Sequence, residues 1–239
     1  MENTSIIALS RATTLQRQME LIANNVANMS TTGFKSEQPL FIEFVNKPVE
    51  DEKYSMVQDY STLRDLAPGP ITQTGNPLDI ALEGNGYIAL DTLHGTRYTR
   101  NGNLSLDSER QLVSAGGLPV LDDGGNPITI PQNAREIRIT PQGDVYGDAV
   151  QVGRINIVSF KNEQFMTQLG GGLYHTDEAP AAAEDTIVRQ GFLEGSNVHS
   201  ISEMNNMIDV NRQYQNIQNL MKTEHDRLRN AYSKLAKLA

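Results

Sequence analysis

The chain has 239 residues and no cysteine, which excludes disulfides, thiolate metal sites and cysteine nucleophiles. Hydrophobic residues make up 38% of the chain, and with its 19 glycines this is within the range of globular proteins that form a core. The formal net charge of −9 is concentrated in the middle, since residues 1–34 are neutral and residues 198–239 are slightly basic, and this distribution argues against nucleic acid as a partner.

The first residues, MENTSIIALSRATT, carry neither a basic leader nor a long apolar run, so they predict no secretory signal peptide. No segment of the sequence is apolar enough to be predicted as a membrane span. These observations predict a cytoplasmic protein, unless export reads something other than a cleaved signal.

A long amphipathic helix is predicted at the N-terminus. Polar residues at positions 3–5 can cap its start, and Gly33 can end it in a left-handed conformation. Its apolar residues recur in steps of four and three, which is a heptad pattern. They are Ala8, Ala12, Leu15, Met19, Ile22, Val26 and Met29.

The middle of the chain changes character twice. Residues 35–69 contain several prolines and are predicted as an extended, partly irregular connector. From about residue 70 to 190, apolar and polar residues alternate between turn signals, which predicts an antiparallel β domain. Asn101-Gly102 is one such signal, because it can supply the positive φ angles of a tight hairpin.

A second heptad helix is predicted at the C-terminus, where Ser200 and Glu203 match a capping box at its start. With about 39 residues at about 1.5 Å each, it would be roughly 58 Å long. Its heptad positions are Met207, Val210, Tyr214, Ile217, Met221, Glu224, Leu228, Ala231, Leu235 and Leu238.

Together the elements predict an α+β fold. The two heptad helices are expected to pair into a coiled-coil-like layer, next to a central antiparallel all-β domain and an extended connector. We expect a terminal helical domain built from residues 1–34 and 198–239, a connector over 35–69 and a β domain over 70–197.

No motif indicates an enzyme, a metal or a cofactor. The loop at residues 84–86 begins a loose dinucleotide-loop match, but a strand pattern follows it where a nucleotide loop needs a helix. Residues 122–126 contain calcium-type ligands, although a turn fits them better. A glycoside hydrolase would need paired carboxylates in a cleft, and nothing in the sequence marks one. The candidate acids are Asp107, Glu109, Asp122 and Asp123.

The heptads leave two alternatives open. The helices can form an ordinary hairpin within one chain, or their apolar faces can meet those of neighbouring chains. The helices are longer than a small β domain can cover, and a lone helix pair is marginally stable, which both favour the second alternative. The amides of Asn24, Asn25 and Asn28 would also be tolerated best where they bond across subunits. In that case we expect the ends to be largely disordered before assembly.

Three stretches resemble signature segments of the bacterial flagellar axial proteins, the family of rod, hook and filament-adaptor subunits. They are ANNVANMSTTGFKS, NPLDIALEGNGYIALDT followed by GTRYTRNGNLSLD, and GFLEGSNVHSISEMNNMIDVNRQYQ. Within the family the chain is most similar to FlgF-type proximal rod proteins, with FlgG-type distal rod proteins as the alternative. It departs from the usual pattern at Glu109 or Arg110, where a glycine is common, and at Tyr87-Ile88, where two phenylalanines are common.

The resemblance implies a structural protein without catalytic residues, cofactor or metal. In this family the terminal helices form the inner layer of a hollow, helically assembled drive shaft, which transmits torque and surrounds the export channel. The implied partners are copies of the chain, other rod proteins and the flagellar type III export apparatus. The implied location is the periplasmic rod of the basal body, reached without a cleaved signal peptide, and neither nucleic acid binding nor membrane insertion is expected.

The resemblance also implies which residues pack between subunits. They are Leu15, Met19, Ile22, Asn24, Asn25, Asn28, Gly33, Phe34, Leu193, Ser196, Asn197, Met204, Met207, Ile208, Tyr214, Met221, Leu228 and Leu235. Aspartate at Ile22, Leu228 or Leu235 is expected to block incorporation into a rod while the β domain still folds. Two other classes remain as alternatives: a soluble coiled-coil adaptor whose ends are folded in the monomer, and a peptidoglycan-cleaving enzyme.

Overall fold

The computed structural model describes residues 2–49, 52–183 and 185–235, and the chain divides into two compact units. The helical unit consists of Met1–Met29, Ser36–Asp65 and Val198–Ala239. The β unit consists of Ser30–Lys35 and Leu66–Asn197. The chain therefore passes from one unit to the other at four places.

The predicted N-terminal helix is present as α1, Glu2–Ala27. It ends well before Gly33, so Gly33 does not terminate it as predicted, although its φ is +69°. At the helix end the main-chain N–H of Asn28 donates to the carbonyl of Asn24 at 3.1 Å, and its side-chain amide donates to the same oxygen at 2.9 Å. Such local side-chain bonds of asparagine compete with continuation of the helix. Met29, predicted as a heptad residue, lies after the helix and is exposed.

The segment predicted as an irregular connector forms a long antiparallel hairpin in the helical unit. Its strands are β1, Glu37–Val49, and β2, Glu52–Arg64. Prolines suggested irregular chain, yet Pro39 lies within β1 opposite Thr62. A two-stranded ribbon leaves many main-chain N–H groups unpaired, so it tolerates proline better than the centre of a sheet does.

The C-terminal helix is α2, Ser200–Leu235. The predicted capping box is wrong, because the carbonyl of His199 accepts the first helical hydrogen bond, from the Glu203 N–H at 3.0 Å. The Glu203 carboxylate does not turn back to cap the helix but accepts a hydrogen bond from the Asn25 amide at 3.4 Å.

The two helices run antiparallel within the helical unit. Asn25 near the end of α1 bonds Glu203 near the start of α2, and Arg11 donates to Gln213 further along at 3.0 Å. Between the helices lies a group of heptad side chains that we call the helix seam. Its members are Leu15, Met19, Ile22, Val26, Met207, Val210, Tyr214 and Ile217.

The β unit contains short strands, listed here in chain order. They are β3 Ile71–Gln73, β4 Ile80–Glu83, β5 Tyr87–Leu90, β6 Arg97–Thr99, β7 Leu104–Leu106, β8 Leu112–Ser114, β9 Ile137–Ile139, β10 Asp144–Gly147, β11 Val150–Arg154, β12 Ile157–Ser159, β13 Thr167–Leu169, β14 Leu173–His175, β15 Ala181–Ala182, β16 Ile187–Gln190 and β17 Phe192–Glu194. Short 3₁₀ turns lie at Glu163–Phe165 and Gly170–Gly172.

These strands pair antiparallel throughout the described residues, and the structure confirms the predicted α+β class. The widest sheet has the order β13-β14-β6-β5-β12-β15, and a second sheet has the order β11-β10-β9. The remaining pairs are β16-β4, β17-β3 and β7-β8. β3 is the first strand of the β unit and β17 is its last, so their pairing brings the two ends of residues 71–194 together.

The hydrophobic core of the β unit is mainly aliphatic. It includes Ile80, Ile88, Leu90, Leu112 and Val145, all almost fully buried. A neighbouring group of aromatic side chains is centred on Tyr87, Tyr174 and Phe160. This core is much larger than the helix seam, so the β unit is expected to be the more stable of the two units.

One predicted hairpin is absent. Asn101-Gly102 does not join paired strands, because β6 pairs with β5 and β14 whereas β7 pairs with β8. Gly102 is required for a different reason: a Cβ there would lie 1.8 Å from the carbonyl oxygen of Ile80. The Ile80 N–H donates to the Gly102 carbonyl at 2.9 Å, so two main-chain segments touch at this point.

Candidate assembly site: the helix seam and the Glu194 junction

The helix seam brings together several of the residues predicted to pack between subunits. Leu15 and Ile22 are buried, and Met19, Met207 and Tyr214 are partly buried against them. All of these contacts are made between α1 and α2 of the same chain. The seam face of α1 is therefore already occupied before any neighbouring chain is considered.

The three asparagines at the end of α1 are also bonded within their own chain. The amide of Asn25, which is 1% exposed, donates to the carbonyl of Glu37 at 2.8 Å, and its oxygen accepts the Glu37 N–H at 2.9 Å. This two-way pair fixes the start of β1 against α1. The side-chain amide of Asn28 donates to the side-chain oxygen of Asn24 at 2.9 Å. The expected bonding of Asn25 across subunits is replaced by bonds to its own β-hairpin.

A strip of apolar side chains on α2 is left uncovered. Ile201, Met204 and Ile208 are 77%, 49% and 50% exposed, and their spacing of three and four places them on one face of the helix. We call this set the apolar strip. Met204 and Ile208 were predicted to pack between subunits, whereas Ile201 was not predicted. Ile6 and Leu9 on α1 are exposed as well.

The end of α2 extends past the start of α1. α2 has 36 residues and α1 has 26, and the antiparallel contacts align the start of α2 with the end of α1. The difference corresponds to an overhang of about 15 Å. Leu228 lies in this overhang and is partly buried, whereas Met221 precedes it. The side chain of Leu235, the last residue of α2, lies outside the described residues.

In the β unit a buried ionic cluster forms around Glu194, which is 2% exposed. One carboxylate oxygen of Glu194 accepts hydrogen bonds from Lys35 Nζ at 2.7 Å and from the Gly69 N–H at 3.1 Å. The other oxygen accepts a hydrogen bond from Arg100 Nε at 2.9 Å. Lys35 and Arg100 are themselves buried, at 3% and 7% exposure.

The cluster contains two cations and one carboxylate, so its positive charges outnumber its negative charge. Main-chain carbonyl oxygens stabilise the cations by accepting hydrogen bonds from them. The Arg100 guanidinium donates to the carbonyls of Gly86 and Gly84, both at 2.7 Å. Lys35 Nζ also donates to the Ala67 carbonyl at 2.8 Å. A buried charge is tolerated when every polar atom has such a partner.

The ionisation of Glu194 follows from these contacts. Burial acts to raise the pKa of its carboxyl, but the charge of Arg100, the hydrogen bond and charge of Lys35, and the Gly69 N–H outweigh burial. The pKa of Glu194 therefore lies below its usual range, and the group is a carboxylate at neutral pH.

Main-chain hydrogen bonds complete the cluster. The Gly33 N–H donates to the Glu194 carbonyl at 2.8 Å, and the Asn197 N–H donates to the Phe34 carbonyl at 3.3 Å. The Asn197 amide donates to the Ala67 carbonyl at 3.0 Å. We call this region the Glu194 junction and define it as Gly33–Lys35, Ala67–Gly69, Arg100 and Glu194–Asn197.

The Glu194 junction contains several of the predicted packing residues. Gly33, Phe34 and Ser196 are buried in it, and Asn197 is half-buried. Leu193, which is also half-buried, precedes Glu194 in β17. Prediction from the sequence missed the three charged residues, although each lies inside one of the quoted signature segments. The available signal was a charged residue within two positions of a glycine in each of those segments.

Replacing Gly33 by alanine should destabilise the β unit by more than about 2 kcal/mol. The φ of +69° already disfavours a side chain by about 1–2 kcal/mol, and the new Cβ would lie 2.6 Å from the Arg100 carbonyl carbon and oxygen. Urea denaturation would measure the loss. Alanine at Gly95, which has a φ of +90° but open space around its Cβ position, is the control for the backbone effect alone.

Two of the candidate catalytic acids, Asp107 and Asp122, bond main-chain N–H groups of their own loops. Oδ1 of Asp107 accepts the N–H groups of Glu109 and Gln111, and Oδ1 of Asp122 accepts those of Gly124 and Asn126, so both aspartates stabilise turns. The loop after β4 leads into strand β5, which is incompatible with a dinucleotide loop.

A groove of about 590 Å³ in the β unit is lined by one acid, Asp123, among the residues that the structure describes. Within the described residues, no group of three or more acids and histidines is placed to hold a metal ion. The same part of the chain contains no helix long and apolar enough to cross a membrane.

Three family models match the chain. The flagella basal body rod protein model matches residues 7–35, the flagellar hook protein FlgE/F/G D1 domain model matches residues 81–147, and the flagellar basal body rod FlgEFG protein C-terminal model matches residues 189–233. Lys35, Arg100 and Glu194 each fall in a different one of these regions. The Glu194 junction is therefore where all three matched regions meet.

Curated relatives extend the match to the whole chain. The flagellar basal-body rod protein FlgF of Caulobacter vibrioides is 34% identical, and the alignment covers 100% of both chains. FlgF of Mesorhizobium japonicum is 33% identical over 93% of each chain. FlgG of Bacillus subtilis is 30% identical over 88% of this chain and 90% of its own. The chain therefore belongs to the flagellar basal-body rod protein family, and its alignments with these FlgF proteins cover more of the chain than its alignment with FlgG.

Proposed function

We propose that this chain, as a structural subunit of the flagellar basal-body rod, joins its neighbours through the part of α2 that α1 leaves uncovered. The observation that carries the proposal is the apolar strip of Ile201, Met204 and Ile208 together with the overhang at Leu228. Exposed apolar side chains in a row are costly in water and mark surfaces that other proteins cover.

This proposal changes the partner predicted for the helix seam. Because Leu15 and Ile22 are buried against α2 of their own chain, the seam builds the two-helix layer of each subunit. The apolar strip and the overhang of α2 then contact different surfaces of the next subunit. Head-to-tail contacts whose rotation does not close a ring generate a helical assembly, here with coiled-coil-like packing of the terminal helices.

The charge distribution supports an arrangement with the helices inside and the β unit outside. The two terminal segments are close to neutral, so many copies can pack together without strong repulsion, whereas the acidic middle favours contact with water. In the assembled rod the helices surround a lumen and the tube transmits torque. The chain has no catalytic role in this proposal.

In this proposal the terminal helices are less well ordered in the free chain than in the assembled rod. The contact between the two helices rests on a small buried group, centred on Leu15, Ile22 and Val210. So small a contact leaves the helices easily separated before neighbours cover them. Loosely ordered ends suit passage through the flagellar type III export apparatus without a cleaved signal peptide, which we propose as the route to the periplasmic, proximal part of the rod.

A soluble adaptor with a closed helical hairpin is the second candidate. The burial of the helix seam between α1 and α2 of the same chain favours this candidate. The exposed apolar strip and the full-length alignment with rod proteins favour the rod subunit instead.

Replacing Leu228 by aspartate should prevent incorporation into rods and abolish motility, because a carboxylate in the overhang cannot be buried by a neighbour. The helix seam of the free chain should remain folded, since Leu228 lies beyond the overlap of the helices and is not part of the seam. The measurement is the amount of the variant in purified basal bodies from cells that lack the wild-type gene.

Aspartate at Thr223, an exposed position on α2, is the matched control and should be incorporated. Wild-type levels of the Leu228→Asp variant in basal bodies would contradict the proposed contact.

A further inference from the structure

All four places where the chain passes between the two units adjoin the Glu194 junction. The segment Ser30–Lys35 enters and leaves the β unit, Leu66 re-enters it and Asn197 leaves it for the last time. The junction contains Gly33–Lys35, Ala67–Gly69 and Glu194–Asn197, which are the residues nearest to these passages. Only Arg100 comes from the interior of the β unit's sequence.

The hydrogen bonds of the Glu194 junction described above are made between residues of the β unit. Lys35 and Arg100 bind the carboxylate of Glu194, Gly33 binds its carbonyl, and Asn197 binds Phe34. These bonds lie within the β unit, so the folding of the β unit is sufficient to form them.

We propose that the Glu194 junction holds the two chain ends side by side even when the terminal helices are unfolded, so that the pairing of α1 and α2 begins at the junction. The main chains of Phe34 and Asn197 are joined by a hydrogen bond of 3.3 Å. Six residues separate Phe34 from the last residue of α1, and two separate Asn197 from the first residue of α2.

The two helices of one chain, when joined to the junction through such short segments, have a high effective concentration relative to each other. This lowers the entropy cost of bringing them together. Of the two side-chain hydrogen bonds between the helices described above, the one between Asn25 and Glu203 is nearer along the chain to the Glu194 junction. The hydrogen bond between Arg11 and Gln213 is further away. Pairing should therefore spread from the Asn25 end of α1 towards its N-terminus, and opening should begin at the N-terminus.

Hydrogen exchange on the full-length, unassembled chain tests this inference. In the wild type, the amides of Gly33 and Asn197 should be protected together with Ile88 in the core, whatever the state of the helices. Protection within α1 should fall from its Asn25 end to its N-terminus. Exchange of Gly33 at the rate of the helix amides, or better protection at the N-terminus of α1, would overturn the proposal.

Two variants and a control sharpen the test. Lys35→Met leaves the neutral pair of Arg100 and Glu194 in place, and should speed exchange at Gly33 by about tenfold or more while Ile88 stays protected. The protection gradient along α1 should then flatten. Arg189→Met removes a similar cation from an exposed ion pair with Glu83 and should change neither. Unchanged exchange at Gly33 in Lys35→Met would overturn the proposal.

A second variant covers the case in which Lys35→Met unfolds the whole β unit. Asn197→Ala removes the side-chain hydrogen bond to Ala67 and leaves the three charges untouched. It should speed exchange at Gly33 by a smaller factor, and no change there would count against the proposal. None of these measurements involves a rod, so their outcome is independent of how neighbouring subunits bind.

Discussion

Replacing Glu194 by glutamine is expected to destabilise the β unit by about 3–5 kcal/mol, because it leaves Lys35 and Arg100 buried without a counter-charge. Glutamine has nearly the same shape, so the loss reports charge and not volume. Urea denaturation followed by circular dichroism measures it, and the matched control is Glu83→Gln, which breaks the exposed ion pair with Arg189 and should cost about 0–1 kcal/mol.

The same carboxylate predicts how stability depends on pH. The folded-state pKa of Glu194 is lowered, so its contribution is fully present above the unfolded value of about 4.3 and is lost as pH falls through the lower folded value. The difference in unfolding free energy between the wild type and Glu194→Gln should therefore be constant near neutral pH and shrink under acid conditions. A difference that grows on acidification would contradict this assignment.

Replacing Ile22 by aspartate is expected to unfold the helical unit while the β unit remains folded. Ile22 is 5% exposed in the helix seam, and burying an unpaired carboxylate there should cost at least about 3 kcal/mol. Hydrogen exchange would show loss of protection in α1 and α2 with unchanged protection of the core around Ile88. Cells that carry only this variant should build no rods.

Aspartate at Ala23, the exposed neighbour of Ile22, is the control for a charge on the same turn of α1 and should retain both the helices and the rods. If Ile22→Asp keeps helix protection equal to that of the Ala23 control, the seam does not stabilise the helical unit. If it also builds rods, the two-helix layer is not required for assembly.

The helices and the antiparallel β unit were predictable because each is encoded in a local period. The heptad steps identify the side chains of the helix seam, including Leu15 and Val210, without reference to the rest of the chain. The period does not identify the partner of a helix face, so the heptads alone leave open whether that partner lies in the same chain or in a neighbouring one. The exposed apolar strip lies off the heptad positions, and this is why Ile201 was missed.

The Glu194 junction could not be predicted from a local pattern. Lys35, Arg100 and Glu194 lie far apart in the sequence, and each is a single charged residue in its own segment. Only the pairing of β3 with β17 and the return of Ser30–Lys35 to the β unit bring them together. Gly102 illustrates the same limit, since its requirement comes from the approach of Ile80 and not from its own turn.

Arg110 lies in the left-handed region that glycine adopts most easily, with a φ of +61°. The resemblance described above predicts a glycine at Glu109 or Arg110, so this position is where the chain departs from the expected pattern. The Arg110 guanidinium donates to the carbonyls of Ile130 and Ala134, both at 3.3 Å. These bonds offset part of the cost of the left-handed conformation, so a long polar side chain can replace a glycine here.

The pairing of β3 with β17 has a consequence for the evolution of the chain. Ile71 lies opposite Glu194, and the Gly195 N–H donates to the Pro70 carbonyl at 2.8 Å, so the polypeptide between them leaves and returns at one point. Insertions or deletions within that stretch need not move the residue from which α2 departs. Such a chain can vary the size of its β unit over generations while the spacing of the segments that enter and leave it is inherited unchanged.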